Sequence, residues 1–231
     1  MSDEREKIVV LTGAGISAES RISTFRDSGG LWERYPIEEV ATAEAWERNP
    51  EKVLRFYNER RRQLLQAKPN AAHYALVELE QKFDVQIITQ NVDDLHERSG
   101  SSKVLHLHGE LLKARSSMDP RLIYPWKKDI RMGDLCEKGS QLRSHIVWFG
   151  EGVPAIDEAA KRVQVAKRLL IVGTSLMVYP AASLIHYLPP GMPVFLVDPN
   201  IESIPPLPNL KTFPEKAGKA VPALVKQWLR E

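Results

Sequence analysis

Short apolar runs punctuate the chain. Ile8-Val9-Val10-Leu11 comes first, then Val85-Gln86-Ile87-Ile88-Thr89, Leu169-Leu170-Ile171-Val172-Gly173 and Val194-Phe195-Leu196-Val197. Runs of this kind suit strands buried on both faces, as in a parallel sheet. Lys103-Val104-Leu105-His106-Leu107-His108 alternates instead and predicts a further strand. Between these segments the apolar positions fall at helical spacing. Residues 51–66 place Val53, Leu54, Tyr57, Leu64 and Leu65 in such a pattern. Residues 70–83 open on an Asn70 cap and carry Ala71, Tyr74, Leu76, Val77 and Leu79. Residues 157–168 and 221–230 predict two more helices.

Strands alternating with helices imply an α/β fold, a Rossmann-like parallel sheet with helices on both faces. Two stretches break the alternation. Residues from about 28 to 68 read as helical with no strand between. Residues from about 111 to 144 have no clean period and hold Pro120, Pro125, Gly133 and Gly139. Both read as insertions that together form a smaller lobe. The expected division assigns residues 1–27, 76–110 and 145–231 to the sheet domain. Residues 28–75 and 111–144 then form the lobe. Ligands of such folds lie at the carboxyl ends of the strands, so the site is expected in a cleft between lobe and sheet.

Composition narrows the function. The 231 residues carry 32 Lys and Arg against 30 Asp and Glu, a net charge of +2. That is too little basic excess for a nucleic-acid partner. The one dense basic cluster, Arg60-Arg61-Arg62, falls inside a helical pattern. A single cysteine, Cys136, excludes an internal disulfide and a multi-cysteine metal site. No apolar run approaches the roughly 20 residues of a membrane span, and no signal-peptide core follows the charged start. A cytoplasmic protein with no membrane partner is expected. The oligomeric state is left open, and a monomer is compatible with the sequence.

The first strand runs into Thr12-Gly13-Ala14-Gly15-Ile16-Ser17-Ala18-Glu19. Gly13, Gly15 and Ala18 satisfy the G-x-G-x-x-G/A pattern, which lets backbone amides approach a pyrophosphate at a helix start. The same pattern is also a plain glycine turn. A standard dehydrogenase would carry an acidic ribose-binding residue about 20 residues on, at the end of a second strand. Here Ser23-Thr24-Phe25-Arg26-Asp27 reads as a loop, so the layout is a different one.

Several further motifs follow in order: Thr24-Phe25-Arg26-Asp27, Gly30-Leu31-Trp32, Thr89-Gln90-Asn91-Val92-Asp93-Asp94-Leu95-His96 and His108-Gly109-Glu110-Leu111. Val147-Trp148-Phe149-Gly150-Glu151, Gly173-Thr174-Ser175 and Tyr179-Pro180-Ala181-Ala182 complete the set. Together they cover nearly the whole chain, and in this order they resemble a sirtuin. The resemblance implies NAD-dependent deacylation of protein lysines, with NAD as co-substrate and acylated-lysine proteins as partners. In that family the acyl oxygen attacks the anomeric carbon of the nicotinamide ribose and nicotinamide leaves. A histidine then deprotonates the ribose so that the acyl group is carried over.

The position matching that histidine is His108, and an imidazole suits a proton transfer near neutral pH. A bland reading has His108 merely ending a strand in a hydrogen bond. His106, two residues earlier, is expected to pack or to support the site. Asn91 and Asp93 match positions at the nicotinamide ribose and carboxamide, with Gln90 and Val92 beside them; Asp94 and His96 read equally as cap and surface residues. The resemblance places Gly13, Ala14, Gly15, Ile16, Ser17, Ala18 and Glu19 at the cofactor. Phe25, Arg26 and Trp32 belong to its mobile loop, Arg26 against pyrophosphate charge and Phe25 excluding water. Gly173, Thr174 and Ser175 match an adenosine-ribose contact. Asp198, Pro199, Asn200 and Ala217 match the adenosine end. Val147, Trp148, Phe149, Gly150 and Glu151 match the segment that pairs with substrate peptide by strand addition.

Tyr57 and Arg60 lie three apart on one helix face and reproduce the Tyr-x-x-Arg signature of class III, bacterial-type sirtuins, which remove succinyl and malonyl groups. A guanidinium with a phenol is a fitting receptor for a carboxylate at the end of an acyl chain. Ala41 matches a small residue that enlarges the same pocket. The competing reading puts Tyr57 in the core and Arg60 on a solvated basic face. Arg61, four residues from Tyr57, is a geometric alternative to Arg60.

The chain departs from the family in two places. The usual zinc ribbon has two cysteine pairs, but the matching stretch holds only Cys136, with Ser116 and Ser117 where the first pair would begin. A structural zinc needs four good ligands, so none is expected. Leu122, Ile123, Tyr124, Trp126 and Ile130 are expected to pack the lobe instead. In the cofactor loop, Arg21 and Ser23 stand where the family often has Gly and Pro, and Arg21 is not expected to take left-handed backbone as Gly does. Two rival functions remain: a protein ADP-ribosyltransferase, and a non-catalytic sensor of NAD or acyl-lysine.

Overall fold

The computed structural model describes residues 5–22, 35–201, 207 and 209–231. Phe25, Arg26, Trp32 and Ser23 lie outside the described residues.

Six strands form one parallel sheet: β1 (Lys7–Thr12), β2 (Asp84–Thr89), β3 (Val104–His106), β7 (Arg168–Val172), β8 (Val194–Val197) and β9 (Leu210–Phe213). Their order is β3-β2-β1-β7-β8-β9. The chain winds from β1 out to β3, then returns to the other side of β1. The strand order therefore reverses between β1 and β7, where a ligand crevice is expected. β1 shows why the apolar runs lack alternation. Ile8 and Val10 pack under the Ala71–Leu79 and Ala217–Trp228 helices. Val9 and Leu11 pack on the opposite face, against the Ile156–Gln164 helix and the 3-10 turn Ala181–Tyr187. Both faces are dry, so both phases of the strand are hydrophobic.

The smaller lobe has two parts. The first is helical: Ile37–Val40, Ala43–Arg48 and the long Pro50–Gln66 helix, which Asn49 caps through its side chain on Lys52 N. The second is not the irregular stretch that its sequence suggested. Residues 109–146 hold a three-stranded antiparallel sheet, ordered β5 (Ile123–Pro125), β4 (Gly109–Ser116), β6 (Leu142–Ile146). The pairing slips between Glu110 and Ala114, and this irregularity breaks the two-residue period along β4. Asn58 and Arg61 tie the two parts together. Asn58 exchanges both its amide groups with the Ile130 backbone at 2.8 and 2.9 Å. Arg61 donates to the Leu111 carbonyl and to Ser144 Oγ.

Among the described residues, no three of His, Cys, Asp and Glu come together as a metal set. Cys136 is buried beside Leu54, Ala114, Ile130 and Leu142, with Leu122, Tyr124 and Trp126 packed at the margin. Ile123 differs from expectation: it is exposed, because the short edge strand β5 turns it outward. No described helix is long and apolar enough to cross a membrane.

Other element boundaries shift for local reasons. The helix expected over 157–168 stops at Gln164, and Arg168 instead opens β7, bonded to Glu6 and Glu231. The last helix starts four residues early, at Ala217, because the Glu19 carboxylate accepts Gly218 N at 2.7 Å and caps it. The Ala71–Leu79 helix crosses the expected boundary at 75–76, and Ala72 and Ala75 both lie in the sheet-domain core. β9 carries no apolar run, because its residues are only partly covered at the sheet edge.

Candidate active site

The cleft opens over the β1–β7 reversal. Three glycines make its floor possible. Gly13 N donates to the Val172 carbonyl at 3.0 Å, and Gly15 N to the Gly173 carbonyl at 2.9 Å. A Cβ on Gly13 would meet Gly173 O at 2.6 Å, and one on Gly15 would meet Gly173 Cα at 2.6 Å. Gly173 has φ +63°, and its own Cβ would lie 2.3 Å from Ile16 N. The glycine loop thus locks against the loop after β7, and two amides proposed for a pyrophosphate are used in that lock. Gly173→Ala is expected to destabilise by about 3 kcal/mol, from left-handed strain plus backbone overlap. A thermal melt reads this as a fall of roughly 6–12 °C; an unchanged Tm would show the loops can separate.

The cleft encloses about 860 Å³, and nearly every residue proposed from sequence lines it. Gly13, Ala14, Gly15, Ala18 and Glu19 come from the first loop, and Gln90, Asn91 and Val92 from the end of β2. Gly173, Thr174, Ser175, Asp198, Pro199, Asn200 and Ala217, expected at the adenosine end, line the side that follows β7 and β8. Ala41, Tyr57, Arg60 and residues 147–151 line the lobe side. Ile16 does not reach it: its side chain is buried in the core beneath the sheet. Ser17 and Asp93 line a small adjoining recess shared with Arg60, Asn91 and Val92. Met177, Val178 and Lys216 also line it without being singled out in the sequence, and Tyr179 beside them figures there only as part of a motif. Residues 177–179 lie between the Gly173-Thr174-Ser175 motif and Pro180, with one residue between them and Ser175, and that position was their signal.

Arg21 corrects an expectation. It sits at φ 64°, ψ 26°, in left-handed backbone, although it has a Cβ. It closes the 3-10 turn Ala18–Ser20, and its carbonyl accepts Gln63 Nε2 at 3.0 Å. Those bonds hold a conformation that costs a residue with a Cβ about 1–2 kcal/mol.

His108 lies at the cleft. Its Nδ1 is 3.0 Å from the Gln90 carbonyl. A carbonyl only accepts, so Nδ1 carries the hydrogen and Nε2 keeps the lone pair. Burial lowers the His108 pKa, and the Gln90 bond opposes this. The ring is therefore neutral at pH 7. Asn91 Nδ2 donates to the Gly13 carbonyl at 3.0 Å and to Ser17 Oγ at 3.2 Å. Asp93 is buried; it accepts Ser17 Oγ at 3.0 Å and Leu95 N at 3.1 Å. Burial raises its pKa, while those two hydrogen bonds pull it down. His96 is fully buried, not a surface residue: Nε2 lies 3.1 Å from Thr12 Oγ1 and the ring packs on His73.

At the lobe side, Tyr57 and Arg60 are both buried and both face the cleft. Burial pushes the Tyr57 phenol up and the Arg60 guanidinium down to about 10. Arg60 is thus not on a solvated face, though at pH 7 it is still charged. Arg61 is removed from contention by its bonds to Leu111, Asn58 and Ser144. Arg62 is the exposed one, paired with Asp129. Phe149 N donates to the Ala41 carbonyl at 3.0 Å, so residues 147–151 are held against the helical insertion. Glu151 fixes the same segment from the other side, accepting Arg115, Arg143 and Trp148 N.

A crevice at the strand-order reversal with a locked glycine floor, and a lobe-side wall that carries Tyr57 and Arg60, together have the form of a dinucleotide-binding site. The Sir2 family model matches residues 13–180. An NAD-dependent protein deacylase of Helicobacter pylori is 54% identical over 220 residues, covering 95% of this chain and 96% of its own. One of Bacteroides thetaiotaomicron is 56% identical over 200 residues, covering 84% and 86%. A crystal structure of a Sir2 homologue–NAD complex superposes with a TM-score of 0.86 at 39% identity, covering 98% of this chain and 91% of that one. The chain belongs to the Sir2 family, the sirtuins.

Proposed function

We propose that this sirtuin removes succinyl and malonyl groups from protein lysines in preference to acetyl groups. The coarser activity is that of its family and relatives: an NAD-dependent protein deacylase. The observation that carries the finer reading is the placement of Tyr57 and Arg60. A guanidinium beside a phenol on the cleft wall is a fitting receptor for a carboxylate, and a succinyl or malonyl chain brings one. Ala41 leaves room beside them. An acetyl group brings no charge to that end.

The cleft fits NAD: its floor is the glycine lock, and Thr174, Ser175, Asp198 and Asn200 offer polar groups along one side. NAD supplies an electrophilic ribose carbon with nicotinamide as its leaving group. In our reading Asn91 and Asp93 orient the ribose and carboxamide, which lowers the entropic cost of reaching the transition state. His108 Nε2 takes a ribose proton, a role its fixed tautomer permits. Residues 147–151 pair with the substrate backbone, which gives affinity with little sequence selectivity.

The test is product analysis. Protein is incubated with NAD and matched succinyl- and acetyl-lysine peptides, and products are followed by mass spectrometry. Faster formation of succinyl-ADP-ribose is expected. Faster acetyl transfer would remove the acyl preference. ADP-ribose found on protein, with no acyl-ADP-ribose, would favour a transferase; NAD binding without nicotinamide release would favour a sensor.

A further inference from the structure

His106 has no role in the reaction as described, yet it touches Asn91. Its Nδ1 lies 3.0 Å from the Asn91 carbonyl oxygen, and its Nε2 lies 2.7 Å from Glu97 Oε1. A carbonyl and a carboxylate both accept. Making both hydrogen bonds requires a hydrogen on each ring nitrogen, which only the imidazolium has. His108, two residues on, bonds the preceding carbonyl, that of Gln90, with one nitrogen only. The two histidines grip consecutive carbonyls of the same turn in different charge states.

We propose that His106, bridged between the Asn91 carbonyl and the Glu97 carboxylate, is a positioning residue that holds the Asn91 side chain in register for catalysis. Asn91 is otherwise fixed by its N–H on Thr89 Oγ1 at 3.0 Å and by its side chain on Gly13 and Ser17. Its carbonyl is the remaining backbone anchor. If the ring loses one proton, it keeps one donor for two acceptors. Either the carbonyl loses its bond or Glu97 does, and Asn91 is no longer held from both sides. The inference rests on the reading of Asn91 as a substrate-orienting side chain, but not on which acyl group is removed.

The surroundings set the direction of the pH effect. Burial disfavours the charged ring, but Glu97, the Asn91 carbonyl and Glu110 outweigh it, and the His106 pKa is raised. Asp93 also faces it with a carboxyl group. Lys113 donates to Glu110 at 2.6 Å and also favours the charged form of Glu97. His96 and His145 interact with His106 too, and both are pushed down by burial, so they bring no charge at neutral pH. A group with a raised pKa keeps its interaction at low pH and loses it as pH rises through that value. The contribution of His106 is therefore lost on the alkaline side. Tyr57 and Arg60 titrate at about 10 or above, and do not account for a limb nearer neutrality.

Deacylation is measured as kcat/KM between pH 5.5 and 9 with a saturating partner substrate, using whichever acyl-lysine peptide the enzyme turns over. An alkaline fall is expected in the parent. In Glu97→Gln the fall should move to lower pH, because the carboxylate that favours the charged ring is gone. His106→Leu should lose roughly tenfold in kcat/KM, the scale of one charged hydrogen bond. His106→Asn keeps a donor but cannot take a second proton, and should lower the plateau while flattening the alkaline side. Imidazole titration by NMR in the free protein gives a readout apart from activity: His106 should titrate above 6.5 in the parent and lower in Glu97→Gln. Superimposable pH profiles and NMR titrations in the parent and Glu97→Gln would overturn the proposal. So would a His106→Leu enzyme with parental kcat/KM.

Discussion

His108→Ala is expected to lower kcat by roughly 10²–10⁴-fold on every acyl-lysine peptide, the usual contribution of a positioned general base. The Gln90 carbonyl holds Nδ1, so the lone pair sits on Nε2 in the cleft. Burial lowers the pKa below the usual imidazole value, so the base is free of its proton at pH 7. The substitution leaves the Gln90 carbonyl without its donor, at about 1 kcal/mol. Gln90 remains fixed by its N–H on the Thr12 carbonyl and its side chain on Thr174, so the fold should persist. Far-UV circular dichroism and a melt check that point. A kcat within tenfold of the parent would place the base elsewhere; His106 is a poor substitute, because both its nitrogens are engaged.

Arg60→Met should behave differently. It is expected to reduce kcat/KM for succinyl-lysine peptides by roughly 30- to 150-fold, about 2–3 kcal/mol for lost hydrogen bonds to a charged group. Acetyl-lysine turnover should fall far less, so the ratio of the two is the deciding quantity. Stability is read by a melt alongside, because Tyr57 and Asp93 also act on the buried guanidinium. The Phe56 ring, whose centroid lies 5.5 Å from the guanidinium, offers the new side chain a sulfur–aromatic contact. An unchanged ratio would leave Tyr57 and Arg60 with a structural role only. The pair of substitutions separates chemistry from acyl selectivity: one should depress all substrates alike, the other should reorder them.

How far the sequence reaches depends on what generates each feature. The parallel sheet was legible because β1, β2, β7 and β8 are covered on both faces, and that leaves unbroken apolar runs. The antiparallel sheet of the small lobe was not, because a pairing slip along β4 and a half-exposed β5 erase the two-residue period. Most of the cleft was legible because its residues follow strand ends. Ile16, which the resemblance places at the cofactor, turns its side chain toward the core, because alternate positions in a single turn face opposite ways. Arg21 shows a different limit. The steric preference against left-handed backbone is real, but the hydrogen bonds that outweigh it at Arg21 come from Ala18, three residues back, and Gln63, 42 residues on. Three adjacent arginines were indistinguishable as letters; in the fold one faces the cleft, one ties the lobe together and one meets solvent.

The lock between Gly13, Gly15 and Gly173 has a bearing on how such a protein can change. Each of the three leaves space that another fills with main chain, so a methyl group on any one displaces its neighbour. No single step to a larger residue is open at these positions, and a compensating second step has nothing smaller than glycine to draw on. The cleft walls carry no such restriction: Ala41, Tyr57 and Arg60 meet the cavity through side chains. Drift, or deliberate redesign, is thereby steered away from the floor and toward the walls, where side chains can change without displacing main chain.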